Sequence, residues 1–524
     1  MRIVLTVVLF FASSLGYAAS VFEFPLAPGP LPVGLRVVQQ YDHSRVFLGD
    51  VDPVTGRAAK GERSRPIQTL VWYPATRSGN AMRYGDYLQL IGSELDFALG
   101  KEAARAAADT VVAEEYLSES GPEQGRKVLE GAMRAQRDAH ALPGRFPVVI
   151  YAPSISAPAA ENADLCEYLA SHGYIVIASP SVGPRSRMMP NDLEGAQTGA
   201  EDIAFLISYA HTLPHADPGR IGVAGFSWGG ISNVFAAARD SRIKALVNLD
   251  GSVRYYPDLV AAAKYVTPER VTAPMLYVAA RPSSREDFAN TGKPVHSFLN
   301  DIKYADLYKL TMYPMEHFAF SSTYLRFATE ARFNQYPRAD VNRAYGWTVT
   351  YVKHFLDTYL KEDAAARTYL AAEPARHGIA AYAATMEHRP AVQRPSRERL
   401  AAALARQGFQ NAHAAYLAIY GQDKAPGLPE TELAGWGFAL QRTGDMKSAI
   451  EIFRLNTRLY PASANAFDAL AAAFARNGDK NEAILNYRRA LSLDPNSENP
   501  RKQLEAMGAS AGKSNSAPEA GNAS

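Results

Sequence analysis

The residues with the most defined chemistry are Gly225-Phe226-Ser227-Trp228-Gly229-Gly230. A strand-like run, 220–224, leads into them and a helix-like run to residue 238 follows, the strand–turn–helix setting of a nucleophile elbow. A serine on so tight a turn has strained backbone angles, and Gly225 and Gly229 let neighbouring chain approach without a Cβ collision. The spacing therefore predicts Ser227 as a nucleophile whose hydroxyl is exposed at a helix N-terminus.

A serine hydroxyl reacts poorly at neutral pH without a base, and chain order in such sites puts an acid and then a histidine downstream. Of the eleven histidines, those that follow Ser227 are His296, His317, His354, His377, His388 and His413. His317 lies just past the last strand-like run, 307–312, in a turn expected at the carboxyl edge of a sheet, and is the expected base. His354 falls inside a helix-like stretch, His377, His388 and His413 lie beyond the expected core, and His296 precedes the last strand. Two acids compete: Asp250, directly after strand-like 245–249, and the Glu286/Asp287 pair beyond strand-like 275–279. Asp250, tight against its strand end with Gly251 behind it, is the better position for a carboxylate that orients the histidine. Glu286 and Asp287 read more simply as solvated charges.

An oxyanion hole needs two backbone donors. One is expected from Trp228, the residue after the nucleophile, and the other from the loop Pro153-Ser154-Ile155-Ser156, where Pro153 has no N–H and Ile155 is favoured. His211 and His215 have metal-like spacing, but Pro214 between them ends the helix and no glutamate follows His211, so both read as helix-end histidines. The one cysteine, Cys166, falls on the apolar face of a helix-like stretch and reads as a buried hydrophobe. With no Asp-rich calcium loop and no phosphate-cradling glycine motif, neither a metal nor a cofactor is expected.

These residues must be positioned by a scaffold. The continuous apolar runs 146–152, 174–178, 220–224, 245–249, 275–279 and 307–312 alternate with helix-like stretches 160–171, 198–212 and 229–238, which predicts an α/β fold with a mostly parallel sheet flanked by helices. Strand-like 35–41 and 67–73 are expected at its edge. Residues 93–140 read as a helical insertion, a candidate lid, broken at Gly121-Pro122. A helix at 345–361 carries Trp347, Tyr351, Phe355 and Tyr359 four residues apart, a stripe that should dock on the sheet. The catalytic domain is thus expected over 20–365.

A helical connector is expected over 366–429. Beyond it the chain repeats itself over 430–497: Gly444-Asp445 recurs as Gly478-Asp479 and Pro461 as Pro495, each 34 residues on. Trp436 and Leu470, Ala449 and Ala483, and Phe453 and Tyr487 match in the same frame. This is the period of tetratricopeptide (TPR) repeats, and a weaker copy around Gly408-Phe409 could supply a third unit. Such an array offers a surface to a protein or peptide partner, or to a second copy of the chain. The tail 508–524 lacks large apolar residues and is expected to be disordered.

The 524 residues are too many for one ordinary core, and 47% hydrophobic with 21% charged residues is the composition of a globular protein. A net charge of +2 gives no field to draw in nucleic acid. Met1-Arg2, an apolar run over 3–15 and then Gly16-Tyr17-Ala18-Ala19 form the order of a secretory signal, with cleavage expected after Ala18. That run is shorter than the roughly 20 residues a spanning helix needs, so the mature chain is expected to be exported, periplasmic or secreted, with no membrane span.

Over residues 67–361 the chain resembles the platelet-activating-factor acetylhydrolase and dienelactone-hydrolase-like branch of the α/β-hydrolases. The resemblance rests on Val71-Trp72-Tyr73-Pro74, 146–154, Ser171-His172-Gly173-Tyr174, 225–230, Leu249-Asp250 and His317-Phe318. In the acetylhydrolases the acid follows the strand after the nucleophile, which implies Asp250. In dienelactone hydrolases proper the nucleophile is cysteine and the acid comes one strand later, so Ser227 and Asp250 imply the acetylhydrolase arrangement. Pro153-Ser154 stands where such enzymes commonly have His-Gly, a departure at the oxyanion loop. The expected function is hydrolysis of a small-molecule carboxylic ester through an acyl-enzyme. The alternatives are an inert hydrolase scaffold whose repeats bind proteins, and a peptidase on the same fold, since acyl transfer alone does not separate ester from amide.

Overall fold

The computed structural model describes residues 22–51, 56–58, 60–281, 297–333, 335–394, 396–421 and 427–510. The signal-like segment, most of the tail, and the candidates Glu286, Asp287 and His296 lie outside these residues. The chain divides into two units, Met1–Val392 and Gln393–Ser524.

The first unit is built on strands β1 (Val33–Val46), β2 (Ser64–Pro74), β3 (Asn80–Arg83), β4 (Ala132–Arg137), β5 (Phe146–Ala152), β6 (Ile175–Ala178), β7 (Ala216–Phe226), β8 (Ile243–Leu249), β9 (Met275–Ala280), β10 (Leu307–Met312) and β11 (Ala384–Arg389). They form one sheet in the order β11-β10-β9-β8-β7-β5-β6-β2-β1-β4-β3. The run from β6 to β10 is parallel, and β2 and β11 close it on either side antiparallel.

The centre is parallel because its strands are apolar on both faces. In β5, Val149 and Tyr151 enter a core shared with helices Ala163–Ser171 and Arg338–Leu360. Val148 and Ile150 enter the opposite core with helices Leu193–Ala210 and Trp228–Ala237. Tyr351 and Phe355 of the predicted aromatic stripe are fully buried, and Trp347 and Tyr359 pack partly buried beside them.

Three expectations change. β2 lies inside the sheet, between β6 and β1, because ten of its eleven residues are buried and it pairs on both sides. The insertion is not all helical: after helices Lys101–Val111 and Pro122–Glu130 it ends in β4. The chain also returns to the sheet after residue 365, as β11, where a wholly helical connector was expected. Both added strands are half-exposed and polar, Ala-Met-Arg-Ala-Gln-Arg and Ala-Thr-Met-Glu-His-Arg, so they lack the apolar run that signals a strand. β11 is fixed instead by its partner, His388 stacking on Tyr308 of β10 with ring centroids 4.1 Å apart.

The second unit is helical. Helix Glu430–Arg442 packs on Met446–Leu459, and Ala464–Asn477 on Lys480–Leu493. Each hairpin turns at one of the recurring Gly-Asp pairs. Gly437 allows the first pair to close: a Cβ there would lie 2.6 Å from the Phe453 ring. Ala449, Phe453, Leu470, Ala471, Phe474, Ala483 and Tyr487 form the core between hairpins. Helices Arg397–Gln407 and Ala412–Tyr420 share a second core with Leu433 and Trp436. Among the described residues no helix is long and apolar enough to cross a membrane.

Candidate functional site

Ser227 occupies the turn between β7 and helix Trp228–Ala237, with φ 53° and ψ −115°. Positive φ is strained for any side chain but glycine and persists only where the surroundings impose it. Of the five such non-glycine residues among those described, Ser156, Ser227 and Asp250 belong to the site segments, so the strain concentrates there. The surroundings of Ser227 are specific. Its N–H donates to Leu249 O at 3.1 Å, and its carbonyl accepts from Ser252 N–H at 2.8 Å. A Cβ on Gly229 would lie 2.0 Å from Ala152 O, and one on Gly225 2.7 Å from the Gly229 carbonyl carbon. These glycines let the helix start against the end of β5. Gly230 and Gly251 meet in the same way on the other side, drawing the loop after β8 against the elbow.

That loop carries Asp250, fully buried, and the turn after β10 carries His317. The structure brings Ser227, His317 and Asp250 together. His317 Nε2 lies 2.9 Å from Ser227 Oγ and His317 Nδ1 lies 2.6 Å from Asp250 Oδ2. With Nδ1–H donating to Asp250, Nε2 is free to accept the serine proton. The same Oδ2 accepts from Tyr255 O–H at 2.9 Å, and Oδ1 accepts from Ala280 N–H at 3.1 Å. The buried Arg254 guanidinium stands 3.8 Å from Oδ1. Three donors and a guanidinium thus surround the buried carboxylate.

Of the oxyanion candidates, Trp228 is the first residue of the elbow helix, so its N–H belongs to the orphan donors of that helix end. In the loop after β5, Ser154 N–H donates to Glu161 Oε2 at 2.8 Å and Ser154 O–H to Glu161 Oε1 at 2.5 Å. Ser154 is thereby committed to Glu161, and of the two candidates in this loop Ile155 is the one that remains.

Glu161 was not singled out by its sequence context, a Pro- and Ala-rich stretch. It anchors the loop after β5, and its own carbonyl accepts from the N–H and hydroxyl of Thr323, tying in the segment after His317. Asn162 beside it accepts from Ser322 N–H and Tyr345 O–H and donates to Phe320 O. Burial pushes the Glu161 carboxyl up to about 7 against the pull of its Ser154 donors, and burial likewise pushes Glu94 and Glu167 up to about 7. In the unfolded chain these acids ionise near 4.5. Between pH 4.5 and 7 the folded state therefore holds more protons than the unfolded one, and stability falls as pH rises, by up to about 1.4 kcal/mol per pH unit for each proton. The melting temperature is expected to decline across this window in scanning calorimetry, and Glu161→Gln to flatten part of the decline. A midpoint that rises through the window would contradict the burial account.

Ser227, His317, Ile155 and Glu161 line a cleft of about 400 Å³. The insertion supplies one wall through Glu115, Tyr116 and Glu119, and the segment after His317 supplies another through Phe318, Tyr324 and Phe327. Cys166 is buried away from this cleft and its thiol is pushed well up by burial, as a packing residue would be. His354 stacks on Tyr369 at 4.0 Å and His377 on the same ring at 3.5 Å, outside the site. Among the described residues no group of three or more His, Cys, Asp or Glu is gathered for a metal.

Residues 133–356 match the dienelactone hydrolase family. An uncharacterized protein of Pseudomonas aeruginosa is 26% identical over 229 residues, a match covering 42% of this chain and 56% of that protein's length. Among solved structures, a ferulic acid esterase from Streptomyces cinnamoneus is 22% identical with a TM-score of 0.43, covering 64% of this chain and 93% of that one. The family match and the sheet order support an α/β-hydrolase fold for the first unit.

Proposed function

We propose that this protein is a serine ester hydrolase in which Ser227 is the nucleophile, His317 the general base and Asp250 the acid that orients it. The observation that carries the reading is the unbroken chain of short contacts from Ser227 Oγ through the His317 ring to a buried Asp250. His317 takes the hydroxyl proton as Ser227 Oγ attacks the ester carbonyl, and Asp250 stabilises the imidazolium so formed. Trp228 and Ile155 N–H groups hold the oxyanion. His317 then protonates the departing alcohol, and a water activated by the same ring releases the acid from Ser227. The serine nucleophile and an acid placed directly after β8 favour the acetylhydrolase-like arrangement over dienelactone hydrolysis proper.

The signal-like segment supports export, so the enzyme would act in the periplasm or outside the cell. The 34-residue hairpins support a TPR-like array that presents a surface to a protein or peptide partner, or to a second copy.

The test is turnover of p-nitrophenyl acetate and butyrate beside peptide p-nitroanilides, with the acyl group trapped at low pH and located by peptide mass. Ester turnover with acylation on the Ser227 peptide is expected. Cleavage of the anilides alone would move the reading to a peptidase, and no turnover with no trapped acyl group would move it to the inert scaffold.

A further inference from the structure

The cleft beside Ser227 has an unusual lining. Phe318, next to the proposed base, is 61% exposed, and Met188 on another segment is 71% exposed, although both are large and apolar and both face the cleft. Neither is needed for packing where it stands. The Phe318 ring meets the His317 ring edge-on at 5.5 Å and pairs with Tyr324 at 5.6 Å. Tyr116 faces the cleft and pairs with Phe327 at 5.2 Å. Tyr116 is delivered by a single π-helical turn, Val112–Leu117, inside the insertion. Such turns cost helix stability and recur where a side chain must be re-aimed into a site. The core cluster of Tyr84, Ile91, Val112, Val128 and Phe327 locks this turn to the wall opposite.

Of the charged groups lining the cleft, Arg187 and Glu119 are held by partners outside it, Glu161 is held by Ser154, and Glu115 is exposed. Arg187 pairs with Glu94, and Glu119 receives both a 2.6 Å and a 2.9 Å bond from Arg332. Beside the Glu115 carboxylate, which disfavours an anionic ligand, the cleft offers the ring surfaces of Phe318, Tyr324, Tyr116 and Phe327. Rings prefer offset or edge contacts with other rings, and such pairs add to the plain burial of area.

We propose that the substrate is an uncharged ester carrying one aryl ring, seated between the Phe318/Tyr324 and Tyr116/Phe327 pairs, with the ring on either the acyl or the alcohol side. This rests on the serine ester hydrolase reading and names its substrate class.

The experiment compares matched small-molecule esters as substrates of the full-length protein by pH-stat: methyl 3-phenylpropanoate against methyl hexanoate for an acyl ring, and benzyl acetate against butyl acetate for an alcohol ring. In at least one arm the aryl ester is expected to have the higher kcat/KM, by about 10-fold. Phe318→Leu keeps an apolar side chain at an exposed position where folding is not at stake, and is expected to reduce that ratio by about 3-fold or more. A second readout, free of any leaving group, is inhibition by benzeneboronic against butaneboronic acid, with the aryl compound expected to bind more tightly and Phe318→Leu to narrow the difference. Turnover with no aryl preference in either arm, or a preference untouched in Phe318→Leu, overturns the aryl proposal and leaves the hydrolase reading standing. No turnover of any ester overturns both.

Discussion

Ser227→Ala is expected to lower kcat on p-nitrophenyl acetate by roughly 10⁴- to 10⁶-fold and to abolish labelling by a fluorophosphonate, with little change in melting temperature. The size of the loss follows from what the hydroxyl does: without it there is no covalent path, and only the oxyanion donors and the bound geometry remain. Stability is expected to hold because alanine removes a single oxygen facing the cleft. The backbone of the turn is held by the Leu249 and Ser252 hydrogen bonds, which use main-chain atoms of Ser227 and survive the change. His317→Ala is expected to lose a similar factor, and the double variant little more than either alone, because the two act as one unit. Measured single-turnover rates decide it. A Ser227→Ala protein with more than a tenth of wild-type activity would place the nucleophile elsewhere.

Much of this geometry could be read in the chain because strand ends are visible in sequence. Ser227, Asp250 and His317 each follow a short, continuous apolar run, and in a parallel sheet the carboxyl ends of such runs gather on one edge. β10 begins and ends at the expected residues for the same reason. Residues placed by loop conformation left no such trace. Tyr255 reaches Asp250 only because the chain turns back through a short helical turn, Ser252–Arg254. Glu161 gains its role from a bend that buries it beneath Ser154, and Tyr116 from a local change of helical pitch. β4 and β11 are decided by their neighbours in the sheet rather than by their own polar sequences, so no periodicity within them could have announced a strand.

The strain at the elbow and the polar shell beneath it are two halves of one arrangement. Ser227 and Asp250, with φ 53° and 42°, lie on adjacent turns bridged by main-chain hydrogen bonds. Neither turn could relax without displacing the other. The loop after β5 is held separately, through Glu161, to the segment that follows His317. The proposed nucleophile, acid, base and oxyanion loop come from four different strand ends, yet each is fastened to at least one of the others, or to the segment beside it, by a hydrogen bond within the protein. On the proposed function such a site would be preorganised, its electrostatic stabilisation needing little rearrangement during reaction.

That coupling sets the expectation for Asp250→Asn, a near-isosteric change whose effect is large though smaller than loss of Ser227 or His317. Asp250 receives Nδ1–H of His317 and O–H of Tyr255 on Oδ2, and N–H of Ala280 on Oδ1, with Arg254 beside the latter. An asparagine has one oxygen and one NH2 group, so it can satisfy one side only. If its NH2 faces His317, the ring is driven to the tautomer with the proton on Nε2, which cannot accept from Ser227. If its NH2 faces Ala280, two donors oppose each other in a buried site and the Ala280 N–H loses its acceptor. Either orientation is expected to lower kcat by roughly 10³- to 10⁴-fold at neutral pH, and fluorophosphonate labelling of Ser227 should slow in proportion. The second orientation would also lower stability, by about 1–3 kcal/mol, which denaturant unfolding would register. Activity within tenfold of wild type would move the acid's role to the Glu286/Asp287 pair, and the same measurement on Glu286→Gln and Asp287→Asn would then locate it.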